Sequence, residues 1–171
     1  MKRLARNLRD ASFDAFILGL ETVNRPSVAY RLQAAAILFS NAWELLLKAK
    51  LVASGQKIFF RKKRGKSRRS LPLDQCIGRI LTDVNDPLRL NVEALAELRD
   101  HAAHFVVPFI PHDVMGLFQA TVVNYSRKLN EWFQVSVSQR VPVGMMALVY
   151  CRAPLEIWTG KIGQEGAWKR E

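Results

Sequence analysis

The stretch "ELRDHAAHF", residues 97–105, concentrates titratable and cationic side chains in little more than two helical turns. It contains Arg99, Asp100 and two of the chain's three histidines, His101 and His104. An imidazole exchanges protons near neutral pH, and a guanidinium binds phosphate oxygens through several N–H groups. Together these residue types are suited to acid–base chemistry on a phosphodiester, with histidine as the acid or base and arginine as the phosphate ligand.

A predicted helix that begins after Asp86 carries these residues, since Asp86 is a good N-cap and Pro87 suits the first turn. At 100° per residue, Arg99 falls within the apolar seam, whereas His104 projects from a polar face about 140° away. One site built from both therefore requires the long reach of Arg99, an irregular helix or a second copy of the chain. The seam comprises Leu88, Val92, Leu95, Ala102 and Val106, and the polar face comprises Glu93, Glu97, Asp100, His101 and His104.

Three interpretations of this helix are open at the level of sequence. In the first, Arg99 is structural and pairs with Glu44 of the long helix at residues 27–55; this pair is expected in any case, because a buried arginine needs an anionic partner. In the second, the polar-face residues other than Asp100 bind a metal ion. Carboxylate bundles of that kind repeat Glu-x-x-His on a second helix, however, and this chain has no second copy. In the third, His104 and Arg99 cleave a phosphodiester.

The helix expected to position Arg99 is a long segment, residues 27–55, that ends at a glycine of the C-cap type. Residues 34–47 are apolar on nearly every side, which is typical of a helix at the centre of a bundle. Asn41 and Glu44 are then polar groups at buried or nearly buried positions, and each needs a partner. Both are candidate supporting residues of the site, together with His101.

The other elements complete a mainly α architecture of four or five helices. The helical domain is predicted to span residues 1–135, and residues 136–171 form a C-terminal extension in which "VPVGMMALVY" suits one strand before a tail. The remaining helices are predicted at 13–23, with Asp10 or Ser12 as N-cap, at 73–81, and after Pro111, His112 and Asp113 up to about residue 133.

Residues 57–71 differ in character from the helices around them. Residues 58–60 favour a strand, Gly65 marks a turn and a return limb runs to Leu71, so a short hairpin with a cationic tip is predicted. No acidic residue interrupts the basic run, which indicates an anionic partner such as a phosphate backbone, and a solvated loop is the open alternative. Lys57 begins the run, and the candidate nucleic-acid-binding residues are Arg61, Lys62, Lys63, Arg64, Lys66, Arg68 and Arg69.

Composition narrows the classes of partner and compartment. A net charge of +11 on 171 residues makes nucleic acid the first partner to consider, with an acidic protein or a membrane surface as alternatives. No apolar run reaches the ~18 residues of a membrane span, and no signal-type apolar region follows the basic N-terminus, so a cytoplasmic protein without membrane association is expected. Cys76 and Cys151 lack metal-binding spacing, and no cofactor is predicted.

The order of these features resembles the HEPN domains, named for higher eukaryotes and prokaryotes nucleotide-binding. Arg99, four intervening residues and His104 match the R-x(4–6)-H motif of that family, and Asp100 suits the polar position after the arginine. The segments "SFDAFILGLETVNRPSVAYR", "NAWELLLKA" and "NYSRKLNEWF" look like an uncharacterised all-α bacterial branch, so the resemblance covers about residues 10–133. Some HEPN toxins carry a tyrosine two residues after the histidine. Val106 stands there in this chain, so regulation through that tyrosine is not expected.

This resemblance implies a HEPN-like four- to five-helix bundle with a short basic β-hairpin insertion, and a metal-independent endoribonuclease of a bacterial toxin or antiphage system. Its composite active site would join Arg99 and His104 of two protomers of a homodimer, with Asp100 orienting the histidine. The implied partners are RNA, a second copy of the chain, and an antitoxin or other defence protein. The same family also contains non-catalytic modules that bind nucleic acid or protein. A DNA-binding regulator is a third interpretation, although no helix-turn-helix signature is present.

Overall fold

The computed structural model describes residues 2–61, 67–104, 114–139 and 141, and these residues are mainly helical, as predicted. They form five α-helices: α1 (Arg3–Val23), α2 (Arg31–Ala53), α3 (Leu73–Ile80), α4 (Pro87–His104) and α5 (Val114–Phe133). A short 3-10 turn, Val137–Gln139, follows α5. The predicted strand in the C-terminal extension lies outside the described residues.

Helix α2 is the centre of the bundle, since α1, α3, α4 and α5 all pack against it. Its apolar character on nearly every side correctly predicted this place, and Gly55, with φ of 83°, ends the helix in the predicted manner. The expected burial of Asn41 is wrong, because Asn41 lies on the exposed side of α2. Leu38 and Leu45 on that side are also partly exposed, while the Glu44 side chain is 25% exposed.

The core of the bundle is aromatic and carries a buried chain of hydrogen bonds through Ser12. The rings of Phe16 and Tyr125 stack with centroids 4.1 Å apart, and Trp43 meets Tyr125 edge-on. Ser12 donates a hydrogen bond to the carbonyl oxygen of Ala42 and accepts one from the Tyr125 hydroxyl, both at 2.7 Å. Burial raises the pKa of Tyr125, so its hydroxyl stays protonated.

Helix α1 begins ten residues earlier than predicted, at Arg3. Ala5 is fully buried and Leu8 packs against the core, so the first turns of α1 are stabilised by packing and need no capping residue at position 10 or 12. Ser12 as an N-cap is therefore wrong, because its hydroxyl lies mid-helix and bonds to α2. Asp86 does cap α4 as predicted, since its Oδ1 accepts a hydrogen bond from the backbone N–H of Leu88 at 2.9 Å.

Two contacts show that α4 runs antiparallel to α2. The hydroxyl of Tyr30, just before α2, donates to the carbonyl oxygen of Ala102 near the end of α4 at 2.7 Å. Further along, the hydroxyl of Ser40 donates to the carbonyl oxygen of Leu95 at 3.2 Å. The end of α4 therefore lies beside the start of α2.

The predicted β-hairpin is reduced to one antiparallel bridge, Phe59 with Ser70, and the described residues contain no strand. Two backbone hydrogen bonds flank the bridge, from Phe60 N–H to Arg69 and from Leu71 N–H to Ile58. Extending this register would set Arg61 directly opposite Arg68, and like charges in opposite positions destabilise a strand pair. Residues 62–66, the predicted tip, lie outside the described residues.

The close approach of α1 and α2 at Gly19 gives a stability test. A methyl group on Gly19 would lie 2.7 and 2.8 Å from two ring carbons of Phe39. We expect Gly19→Ala to lower the free energy of unfolding, because overpacking costs about 1–3 kcal/mol and alanine regains only ~1 kcal/mol of helix propensity. Urea denaturation followed by circular dichroism measures this change.

Gly78→Ala in α3 is the matched control. Nothing lies within 4 Å of a methyl group at that position, so alanine should raise the free energy of unfolding by up to about 1 kcal/mol. If Gly19→Ala were as stable as Gly78→Ala, the helices could not approach as closely as the structure describes.

Candidate functional site

Arg99 stands at the edge of an otherwise buried seam on α4. Leu88, Val92, Leu95 and Ala102 are buried, which confirms the predicted packing face, whereas Val106 lies outside the described residues. The side chain of Arg99 is 35% exposed, so its guanidinium reaches solvent from within this seam. An arginine at such a position keeps its aliphatic stem against the core and its guanidinium in water.

The predicted ion pair between Arg99 and Glu44 is wrong. Arg99 instead pairs with its chain neighbour Asp100, whose Oδ1 accepts hydrogen bonds from Nη2 at 2.8 Å and from Nε at 3.0 Å. Glu44 pairs with Lys48, one turn further along α2. Glu44 and Lys48 are four residues apart and share one face of α2, so that pair follows from helical spacing. Ala102 faces Tyr30 and Leu95 faces Ser40, so Arg99 is level with about residue 34, which is about 15 Å from Glu44 along α2.

Of the two histidines of α4, the structure describes the side-chain contacts of His101 only. Nε2 of His101 lies 3.9 Å from Oε1 of Glu97, one turn earlier on the same helix. His104 is the last residue of α4, and the placement of its side chain lies outside the described residues. The predicted contact of Asp100 with His104 therefore lies outside them too, and the described partner of Asp100 is Arg99.

The metal interpretation gains no support from the described part of α4. Oε1 of Glu93 accepts a hydrogen bond from Nε of Arg89 at 2.8 Å, so this candidate ligand is engaged in an ion pair. Within the described ranges, no three histidine, cysteine, aspartate or glutamate side chains are grouped as ion ligands would be.

A buried lysine that the sequence reasoning missed fixes the base of the basic segment. Lys48, with 6% of its side chain exposed, pairs with Glu44 and donates to the hydroxyl of Ser70 at 3.0 Å. Ser70 is the bridge partner of Phe59, so the ammonium joins α2 to the return limb. Burial raises the pKa of the neighbouring Cys76 to about 11, although Lys48 opposes that rise. The spacing of Glu44 and Lys48 on an apolar helix was the available sequence signal.

One end of the bundle collects exposed cations, and we call it the basic end. The ammonium of Lys2, at the start of α1, lies beside Gly55 after the end of α2, and a guanidinium N–H of Arg79 donates to the carbonyl oxygen of Lys57 at 3.4 Å. Of the predicted nucleic-acid-binding residues, Arg61, Arg68 and Arg69 are described and exposed, whereas Lys62, Lys63, Arg64 and Lys66 lie outside the described residues. The exposed cations are Lys2, Arg3, Arg6, Lys57, Arg61, Arg68, Arg69 and Arg79.

Arg99 lies far from the basic end. Because Ala102 faces Tyr30 and Leu95 faces Ser40, Arg99 is level with the first third of α2. About 19 residues of α2 then separate it from the end of that helix, which is about 28 Å at 1.5 Å per residue. The two groups of candidate residues, the α4 pair and the basic segment, therefore do not form one local site within a protomer.

A further cavity of about 510 Å³ opens on α1, and its described lining is Asp14, Ile17, Leu18 and Glu21. Two carboxylates in that lining disfavour an anionic ligand, so this cavity is not part of the candidate site.

Comparison with protein-family models identifies the family of this chain. A model described as "Domain of unknown function (DUF3644)" matches residues 7–161, which include α2 to α5 and all of α1 except its first four residues. The chain belongs to this family. The match also crosses the boundary predicted at residue 135 and continues into the C-terminal extension. No curated protein and no solved structure matches the chain. The family description names no activity.

None of the helices in the described ranges combines the length and the apolarity needed to cross a bilayer.

Lys48→Met tests whether the buried ammonium holds the base of the basic segment. The variant leaves Glu44 and Ser70 without their donor, so we expect the free energy of unfolding to fall by about 1–3 kcal/mol. Loss of the Ser70 contact should also speed tryptic cleavage between residues 57 and 69 in the folded protein. Urea denaturation and timed proteolysis measure the two effects.

Lys50→Met is the control on the same helix. Lys50 is partly exposed and lies 5.4 Å from the centroid of the Trp132 ring, a contact worth about 0.5–1 kcal/mol at an exposed site. Equal losses for both variants, with no change in proteolysis, would show that Lys48 does not anchor the segment.

Proposed function

We propose that the protein is a metal-independent endoribonuclease of HEPN type, with a composite active site formed by Arg99 and His104 of two protomers. The observation that carries the proposal is the state of Arg99. Its guanidinium does not pair with Glu44. It reaches solvent, and its described partner is the exposed carboxylate of Asp100, the next residue in the chain. An exposed ion pair of this kind is worth about 0–1 kcal/mol, so a phosphate displaces the carboxylate at little cost.

Arg99 and His104 have complementary roles in the proposed reaction. His104 takes the proton of a ribose 2′-hydroxyl, or gives a proton to the departing 5′-oxygen, and an imidazole near its ordinary pKa of ~6.5 serves both roles. Arg99 stabilises the charge that develops on the phosphate as the 2′-oxygen attacks and the 5′-oxygen leaves. The products are a 2′,3′-cyclic phosphate and a 5′-hydroxyl, and no metal ion takes part.

In this proposal Asp100 acts on Arg99 rather than on His104. Its two hydrogen bonds fix the guanidinium at Nε and Nη2 and leave the remaining N–H groups for a ligand. Asp100 is thus a positioning residue. The sequence had suggested that it orients the histidine.

Geometry favours a site shared between two copies of the chain. Five positions along α4 separate Arg99 from His104 by about 7.5 Å of rise and about 140° of rotation, so the two residues face different directions. A second α4 related by a twofold axis can present the missing residue. The partly exposed apolar side of α2, with Asn41 among Leu38 and Leu45, offers a surface on which a second copy can pack.

The resemblance to HEPN proteins supplies the cellular setting of the proposal. Enzymes of this type act in bacterial toxin and antiphage systems, so we propose a cytoplasmic protein whose activity is held in check by an antitoxin or another defence protein. The basic end binds RNA away from the reacting phosphate, and its exposed arginines supply the sequence-independent part of the affinity.

The decisive experiment compares cleavage of transfer and messenger RNA in EDTA. We expect the wild-type protein to cleave, and Arg99→Ala and His104→Ala each to lose about 100-fold or more, as removal of an acid–base or charge-stabilising group does. Arg127→Ala, an exposed arginine on α5, is the matched control and should retain the wild-type rate. Wild-type cleavage by either site variant would remove the proposed mechanism.

Mixing the two inactive variants tests whether the site is shared. In an equal mixture half of the dimers contain one chain of each kind, and a shared site is intact in one of their two positions, so activity should return to about a quarter of the wild-type level. A site built within one chain gains nothing from mixing. Restored activity therefore supports the dimer, and its absence in a mixture that does form heterodimers contradicts it.

The second candidate function is a non-catalytic binding module. It is favoured by the distance of about 28 Å along α2 from the level of Arg99 to the end of that helix, because binding of an anionic partner at the basic end needs neither Arg99 nor His104. Binding of RNA with no cleavage by any variant would establish the module.

A further inference from the structure

Phe59 and Phe60, at the base of the basic segment, differ in how their rings are covered. The guanidinium carbon of Arg68 lies 4.6 Å from the centroid of the Phe59 ring, and Phe59 also packs against the core. Phe60 is 42% exposed, and no cation–ring contact is described for it. An aromatic ring therefore faces solvent within a run of basic residues that contains no acid.

The backbone holds Phe60 in place even though its ring is exposed. Its N–H donates to the carbonyl oxygen of Arg69 at 3.0 Å, next to the Phe59–Ser70 bridge. The buried ammonium of Lys48 fixes Ser70 in turn. Little conformational entropy is then lost when a ligand settles on the ring, because the backbone beneath it is already ordered.

The register of the bridge places an arginine beside the exposed ring. With Phe59 opposite Ser70, Phe60 stands opposite Arg69, and opposite residues of an antiparallel pair project from the same face. Phe59 and Phe60 project from opposite faces because successive side chains alternate. One face thus carries a ring already covered by Arg68, and the other carries an open ring with Arg69 beside it.

We propose that Phe60 is a base-stacking residue for single-stranded RNA, with Arg69 binding the adjacent phosphate. A nucleobase stacks on an aromatic ring whatever its identity, and a neighbouring cation follows the backbone, so the site takes unpaired RNA with little sequence preference. In a duplex the bases are stacked on one another and their faces are unavailable to a side chain. The inference rests on the RNA-binding role proposed above but does not require cleavage.

Binding of a 2′-O-methyl oligouridylate, measured by fluorescence anisotropy at several salt concentrations, tests the proposal. This probe lacks the 2′-hydroxyl nucleophile, so cleavage does not interfere. We expect Phe60→Leu to weaken binding about 5- to 100-fold with an unchanged salt dependence, since stacking involves no counterion. Arg69→Gln should weaken binding and also lower the slope against log salt by about one.

Three comparisons make the test specific. Phe60→Tyr keeps a ring and should bind as the wild type does, which separates stacking from any damage to the bridge. Leu18→Ala, at an exposed apolar residue beside the carboxylates of α1, should also bind normally. A duplex 2′-O-methyl probe of equal length should bind wild type and Phe60→Leu alike, through its phosphates only.

Two results would overturn the stacking site: Phe60→Leu binding the single strand as tightly as the wild type, or Phe60→Tyr failing as badly as Phe60→Leu. Failure of the nuclease proposal is recognised separately. If the protein does not cleave RNA but its binding depends on Phe60, the stacking site stands and the binding module replaces the enzyme.

Discussion

The structure depends on one helix that is apolar around nearly its whole circumference. Because α2 cannot expose so much apolar surface, the other four helices pack around it, and their aromatic side chains fill the space on its Phe39 and Trp43 side. This arrangement fixes which of the described chain segments meet at each end of α2. The start of α2 lies beside the end of α4, and the end of α2 leads directly into the basic segment.

The same constraint explains why a lysine is buried at the basic end. A cation inside an apolar helix must be paired, and Glu44 pairs with Lys48 without help from another helix. Another N–H of the Lys48 ammonium donates a hydrogen bond to the hydroxyl of Ser70. The buried charge of Lys48 thereby anchors Ser70 and, through the bridge, Phe59 at the base of a segment rich in like charges. Arg99 is not part of this arrangement, because it is level with about residue 34 of α2, about 15 Å from Glu44, and its described partner is Asp100.

Sequence reasoning predicted the elements better than the contacts between them. Composition and periodicity predicted the helical class, the central place of α2, the Asp86 cap and the buried seam of α4, because each depends on spacing within one segment. The start of α1, the exposure of Asn41 and the partners of Arg99 and Glu44 depend on which helices meet and at what height. The pattern of one helix does not show how far along the bundle axis each residue lies relative to the next helix. The predicted pair of Arg99 and Glu44 was therefore chosen by charge, and in the structure each has a partner on its own helix. The single bridge in place of a hairpin has a different physical reason, since a longer strand pair in this register would set Arg61 opposite Arg68.

The distance of about 28 Å from the level of Arg99 to the end of α2 constrains how the proposed enzyme handles RNA. At about 3.4 Å per nucleotide, a helically stacked strand would need about eight nucleotides to connect the two places in one protomer. In the proposed dimer each protomer contributes one basic end, so a strand bound at either end reaches the shared site across such a span. The two roles are thereby separated along the strand: the basic ends supply affinity, and the α4 pair supplies the chemistry.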